Sequence, residues 1–214
     1  LYLMGDIFDF WFEYHRVVPR GFTRVLARLA ELSAQGVRVV LFTGNHDMWC
    51  YDYLAQECGV EIVRNPRVVE LDGVKVHLAH GDNLNISGQP MLKLMNTIFR
   101  SSVARTLFSW LVHPDLALKF GLWWSGKSRK SHNKTLMGVD NLRPLVEYAR
   151  EHNLKNRDVE HYIFGHMHLP HYVREERFEV LFLGDWCGAE AVYATMNDDN
   201  NLKLNTFAID ETVS

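Results

Sequence analysis

The chain has 214 residues, 47% hydrophobic and 23% charged, with a formal net charge of −3. That profile fits a folded globular chain and excludes a disordered, collagenous or disulfide-scaffold one; the slightly acidic balance excludes a global basic field for nucleic acid. Three cysteines, Cys50, Cys58 and Cys187, without CxxC spacing, argue for free thiols in a reducing compartment.

Residues 1–4 read as a buried strand running into Gly5-Asp6, an opening that places further residues upstream of Leu1. Phe22, Val25, Leu26, Leu29 and Leu32 recur at helical spacing after Pro19, and Gly36 closes that helix. Residues 37–42 are a continuous apolar, β-branched run, predicting a strand buried on both faces. A short helix is expected over 52–58, then strands over 61–63, 68–71 and 74–79, the last two joined by Asp72-Gly73 as a hairpin turn. Residues 88–124 are helical in pattern, as are 140–152. Strands over 162–164, 171–174, 180–183, 191–196 and 202–209 complete an α/β layered fold. No run of about 18 apolar residues predicts a membrane span, and no signal peptide is visible.

Residues 83–138 differ in charge from the rest. They hold eight basic residues and one acid, Asp115, a balance of +7, whereas the remainder carries 15 basic and 25 acidic residues, a balance of −10. The same segment contains Phe99, Phe108, Trp110, Phe120, Trp123 and Trp124. It reads either as a helical cover whose lysines and arginines simply face water, or as a lid that takes an amphiphile with an anionic head or lies against an anionic membrane surface.

Four motifs follow apolar strands: Gly5-Asp6-Ile7-Phe8-Asp9, Gly44-Asn45-His46-Asp47, His80-Gly81-Asp82 and Gly165-His166-Met167-His168. Polar residues at strand ends converge on one crevice in open α/β folds. Carboxylate, amide oxygen and imidazole, with no thiolate, are hard-to-borderline donors suited to Mn²⁺, Fe or Zn²⁺, and also to Mg²⁺. Asp47 and Asp82 read as loop supports. His77 reads as structural, and His15, His113, His132, His152, His161 and His171 have no motif context.

These motifs resemble those of the calcineurin-like metallophosphoesterases. The family pattern is Asp-x-His, Gly-Asp, Gly-Asn-His-Asp/Glu, His and Gly-His-x-His, and all but the first occur between residues 5 and 168. The resemblance implies a layered sandwich of two mixed sheets flanked by helices, spanning 1–214 as one domain, with a helical lid insertion over 86–138. It implies two divalent metals, Mn²⁺ foremost. Asp6 bridges them, Asn45, His80 and His166 complete one position, and His168 joins an Asp-x-His pair, expected upstream of Leu1, at the other. A hydroxide held between the metals would attack phosphorus. His46 becomes the proton donor to the leaving group, with Asp9 orienting it.

A narrower resemblance rests on Asp6-Ile7-Phe8-Asp9-Phe10-Trp11, His166-Met167-His168-Leu169-Pro170, Leu183-Gly184-Asp185-Trp186 and the insertion. These are similar to the bacterial UDP-2,3-diacylglucosamine diphosphatases of lipid A synthesis. Some of that group carry arginine at the position of His46, so this chain stands in a related branch. The resemblance implies cleavage of an acylated nucleotide sugar to UMP and an acylated sugar 1-phosphate. Acyl chains would lie along Leu92, Phe99, Phe108, Trp110 and Phe120. Ser125, Arg129 and Lys130, within Ser125-Gly126-Lys127-Ser128-Arg129-Lys130, would meet the phosphates. A cytoplasmic location follows, with peripheral contact to the inner face of the inner membrane. The alternatives are a phosphodiesterase or pyrophosphatase acting on a soluble nucleotide, and a non-catalytic membrane scaffold.

Overall fold

The computed structural model describes residues 1–85, 90–134, 138–197 and 200–209, with side chains described at all of these except 92, 95 and 127–134. The chain divides into two compact units, each made of two separate segments. The first comprises Leu1–Asn65 and Ile86–Leu136; the second comprises Pro66–Asn85 and Met137–Ser214.

In the first unit, β1 (Tyr2–Leu3), β2 (Val40–Phe42) and β3 (Glu61–Val63) form a parallel sheet in the order β1-β2-β3. Helix α1 (Thr23–Ala34) and the short α2 (Tyr53–Cys58) return the chain between these strands, as parallel pairing requires. Gly36 and Gly59 end the two helices at φ 87° and 67°, values that suit a residue without Cβ. Leu29, Val39, Leu41, Leu54 and Val60 pack with Phe8 and Trp11 into the unit's core. All three residues of β2 are buried, as the continuous apolar run predicts.

The stretch after Asp9 is fastened by a buried carboxylate. Glu13 accepts from the Trp11 indole (2.9 Å) and from the main-chain N–H groups of Tyr51 (2.6 Å), Asp52 (3.0 Å) and Tyr53 (3.3 Å). Trp11 N–H donates to the His46 carbonyl at 2.9 Å, and Phe12 bridges to Trp49. Residues 11–13 are thereby laid alongside 46–49. Three further helices complete the unit: α3 (Pro90–Arg100), α4 (Ser102–Leu111) and α5 (Pro114–Lys134). Ser101 separates the first two, its hydroxyl capping α4 by accepting from Ala104 N–H at 3.3 Å. Phe108 of α4 packs on Phe12 and Trp49, with ring centres 5.1 and 5.5 Å away.

The second unit is a mixed five-stranded sheet of β4 (Arg67–Leu71), β5 (Val74–Ala79), β6 (Val159–Phe164), β7 (His171–Arg174) and β8 (Glu179–Phe182), in the order β4-β5-β6-β8-β7. β5, β6 and β8 run parallel, and the two edge strands are antiparallel. A 3₁₀ turn (Val139–Leu142) leads into α6 (Arg143–Lys155), which crosses to β6. Leu142, Leu145, Val146 and Ala149 fall at i, i+3, i+4 and i+7. This stripe buries against Val159, Tyr162, Phe164, Val180 and Phe182. β9 (Glu190–Met196) and β10 (Leu202–Ala208) form a separate antiparallel pair.

The helical pattern expected over 88–124 is met by three helices, broken at Ser101 and before Pro114, and the structure departs from the sequence reading at its far end. The last of them continues to Lys134 through the Ser-Gly-Lys-Ser-Arg-Lys run, since neither serine nor a single glycine suffices to stop a helix.

His77 on β5 is 1% exposed. It accepts or donates at 3.2 Å with the Tyr148 hydroxyl, stacks on Tyr162 at 5.1 Å, and meets the His152 ring at 4.8 Å. Burial, reinforced by His152, holds its pKa down at about 4 from the ordinary 6.5. The neutral ring is therefore the folded form, and the unfolded chain binds the extra proton. Stability conferred this way is complete above about pH 6.5 and is lost as pH falls toward 4, by about 2 kcal/mol between pH 7 and 5. Urea unfolding at those two pH values should show the loss, and His77→Gln should remove about that much of it. An unchanged difference would mean that other groups set the acid sensitivity.

Candidate active site

In the first unit, Asp6 follows β1 directly. Gly5 and Asp6 both have positive φ, 90° and 54°. For an aspartate this left-handed backbone costs energy, and such strain gathers where a side chain must be aimed. Its Oδ1 accepts the His46 N–H at 2.8 Å. Gly44 closes on the same group: a Cβ there would come within 2.8 Å of the Asp6 carboxyl carbon and of its main-chain nitrogen. Asp47 is fully buried and ties the two loops, accepting from Ile7 N–H (2.8 Å) and Gly44 N–H (2.6 Å). That is the loop-supporting role expected of it. The His46 ring has Nδ1 at 3.0 Å from the main-chain carbonyl of Asp9.

Asn45 and His46 also line an apolar groove. Its other walls are Phe10, Trp11, Met48 and Trp49 from the loops, and Ile98, Phe99, Ala104, Phe108, Phe120, Gly121 and Trp124 from α3–α5. Apart from the tryptophan indoles, the candidate ligand Asn45 and the candidate proton donor His46 are its only polar lining residues among those described. Trp49 is fixed there by its indole, which donates to the Phe99 carbonyl at 2.6 Å. A side chain at Gly121 would overlap the Phe10 ring, so α5 can lie this close only with glycine at that position. Phe99, Phe108 and Phe120 thus line the groove, as the resemblance implied. Trp110 does not; it is 80% exposed. The Leu92 side chain lies outside the described residues. Phe10 and Trp49 were missed; Phe10 alone had a signal, its place in the Phe-Asp-Phe-Trp run.

In the second unit, His80 ends β5 and is buried, and its carbonyl accepts from both Gly165 N–H (3.0 Å) and His166 N–H (2.9 Å). This pins the loop after β6 to the end of β5 and sets His80 Nε2 at 3.3 Å from His166 Nδ1. Gly81, at φ 113°, makes the turn, with Leu145 and His166 close to where a Cβ would lie. His168 has a φ of 54°, and its Nδ1 is 3.5 Å from Asp185 Oδ2. Asp185 was given no role in the sequence reading; its place in Leu-Gly-Asp-Trp was the only hint. Of the residues expected to meet phosphate, Ser125 is buried in α5 and does not line the groove. The side chains of Arg129 and Lys130 lie outside the described residues.

A family model described as calcineurin-like phosphoesterase matches residues 1–170. The chain belongs to that family. A protein of Porphyromonas gingivalis named UDP-2,3-diacylglucosamine hydrolase is 42% identical over 200 residues, covering 87% of this chain and 76% of its own. Proteins of the same name from Haemophilus ducreyi and Histophilus somni are 25% and 27% identical, covering 87% and 89% of this chain and 77% and 79% of their own. The chain is thus a phosphoesterase enzyme with an α/β fold, and its family implies divalent metal ions.

The residues of this phosphoesterase fit such ions. Each unit by itself presents donors of the right chemistry: a carboxylate held against a bare glycine after β1, and two imidazole nitrogens 3.3 Å apart after β5 and β6. Two neutral rings that close can share one proton or turn both lone pairs on one cation. His80→Ala or His166→Ala should therefore lower the bound metal per chain by half or more, read by atomic emission on the purified protein. His77→Ala should leave it unchanged.

Proposed function

We propose that this phosphoesterase hydrolyses the pyrophosphate of UDP-2,3-diacylglucosamine, giving UMP and 2,3-diacylglucosamine 1-phosphate. The observation that carries this reading is the apolar groove in which, among the described residues and apart from the tryptophan indoles, the only polar side chains are Asn45 and His46. A soluble nucleotide offers only its base to a groove walled by Phe, Trp, Ile and Met. Acyl chains can fill it, at about 0.8 kcal/mol for each CH₂ taken out of water. The shared name of the relatives supports the same substrate.

In this reading Asp6, Asn45, His80 and His166 hold one divalent ion, and Asp6 with His168 contributes to a second. Mn²⁺ suits these donors first, with Mg²⁺, Fe or Zn²⁺ also compatible. Such ions supply Lewis acidity toward phosphoryl oxygens and lower the pKa of water toward neutrality. Water adds to the α-phosphorus, the bond to the bridging oxygen breaks, and the acylated sugar 1-phosphate leaves. His46 donates its Nδ1–H to the Asp9 carbonyl, which leaves Nε2 as the nitrogen available for proton transfer. Its Nε2 then carries the proton that the leaving phosphate takes. Asp9 orients the ring, and its carbonyl does so whatever its side chain. Arg129 and Lys130 neutralise the diphosphate, with buried Ser125 one turn earlier on α5. The helices of residues 86–138 act as the lid. Among the described residues no helix is long and apolar enough to cross a membrane. A diacylated nucleotide-sugar substrate would place the enzyme in the cytoplasm, at the inner face of the inner membrane.

His46→Ala should cut the hydrolysis rate of the diacylated substrate about 10²–10⁴-fold with metal content unchanged. Asp9→Asn, which keeps the carbonyl, should lose much less.

Phe99→Ala and Phe108→Ala should raise KM for the diacylated substrate and spare a nitrophenyl phosphodiester. Equal losses on both substrates would point instead to a phosphodiesterase for soluble nucleotides.

A further inference from the structure

Trp186 lies in the second unit, in the loop between β8 and β9. Its indole N–H donates to the Val192 carbonyl on β9 at 2.8 Å. That bond occupies the only polar atom of the ring and fixes the ring's direction. The residue is nevertheless 64% exposed. A tryptophan tied down at its N–H and left in solvent has only the faces of its ring to offer.

The loop that carries Trp186 is locked to the loop that carries His168. A Cβ at Gly184 would come 2.7 Å from Pro170 Cγ and 3.1 Å from Val192 Cβ, so the three segments can meet this closely only with glycine there. Pro170 stands two residues after His168. Asp185 Oδ2 is 3.5 Å from His168 Nδ1, while Asp185 Oδ1 accepts the Cys187 N–H at 3.2 Å. Asp185 thus braces its own turn with one oxygen and meets the histidine with the other. The indole is held one residue away from that contact.

The surroundings select the occupant. The exposed residues that follow Trp186, namely Cys187, Gly188, Ala189 and Glu190, are small or charged, so no apolar trough continues along the loop. An acyl chain would need such a trough, and a protein partner a broad apolar patch. A single flat ring needs only another flat ring. The base of a nucleotide is that ring: it stacks on an aromatic face whatever its hydrogen-bonding edge, and it stands a few bonds from the phosphate.

We propose that Trp186 is the stacking platform for the nucleobase of the substrate, the uracil of UDP-2,3-diacylglucosamine. The identity of the base rests on the proposed function; the stacking itself does not.

The test is calorimetric titration of the Mn²⁺-loaded full chain with UMP and, separately, with ribose 5-phosphate, which has the sugar and phosphate but no base. The wild type should bind UMP the more tightly. Trp186→Ala should weaken UMP roughly 5- to 150-fold, the worth of one base–aromatic stack, and leave ribose 5-phosphate within about twofold. Trp186→Phe keeps a ring and should retain most of the UMP affinity, whereas Trp186→Leu, apolar without a π-face, should not. Each variant's melting temperature shows that it folds. Equal losses of UMP and ribose 5-phosphate in Trp186→Ala would overturn the platform and make Trp186 a support of the His168 loop. Unchanged UMP affinity in that variant, or leucine serving as well as phenylalanine, would overturn it too. Hydrolysis of the diacylated substrate is read separately: its absence in the wild type would sink the substrate assignment, while a loss confined to UMP in Trp186→Ala would still establish the platform.

Discussion

The buried Asp47 carboxylate is the constraint on which the first unit's chemistry depends. One oxygen holds Gly44 and the other holds Ile7, so the loop after β2 and the loop after β1 move as one body. Asp6 is aimed only because its left-handed backbone is held from both sides, by Gly44 packing and by the His46 N–H. An aspartate at positive φ would relax if either side were free. In the second unit the His80 carbonyl has the corresponding task. By accepting two N–H groups from the next loop it carries His166 to the end of β5. In both units main-chain hydrogen bonds, rather than long side chains, set the donor positions.

The strand-end motifs were legible because each combines a glycine, a polar side chain and a preceding apolar run, three signals within six residues. The stripe at 142, 145, 146 and 149 was legible for the same kind of reason: burial on one helical face leaves a period in the sequence. What could not be read is what depends on contacts between distant segments. Glu13 looks like any surface glutamate until residues 51–53 bring their N–H groups to it. Asp185 beside His168 is likewise invisible before β8 is placed. Phe10 and Trp49 face the groove because of a bridge between residues 12 and 49, which no periodicity announces.

The insertion shows how composition can mislead about direction while being right about content. Its aromatic residues divide between two environments: Phe99, Phe108 and Phe120 toward the groove, Trp110 toward solvent. Helical spacing alone gives a stripe, but α4 has apolar residues on more than one side, so spacing cannot say which side is covered. The continuation of α5 through its basic stretch has a related cause. Lysine and arginine are good helix formers, and they outweigh the serine and glycine residues among them.

The discontinuity of both units bears on how such a chain can vary over time. β5 and β6 pair directly, Ala79 opposite Phe164, yet the whole of α3–α5 is threaded between them in sequence. Closing a loop costs only about 0.6 kcal/mol more for each doubling of its length. Helices can therefore be lengthened, shortened or exchanged at this point while the pairing that holds His80 beside His166 stays intact. The helices' share of the apolar groove can thus change without disturbing the strand pairing on which the two histidines depend.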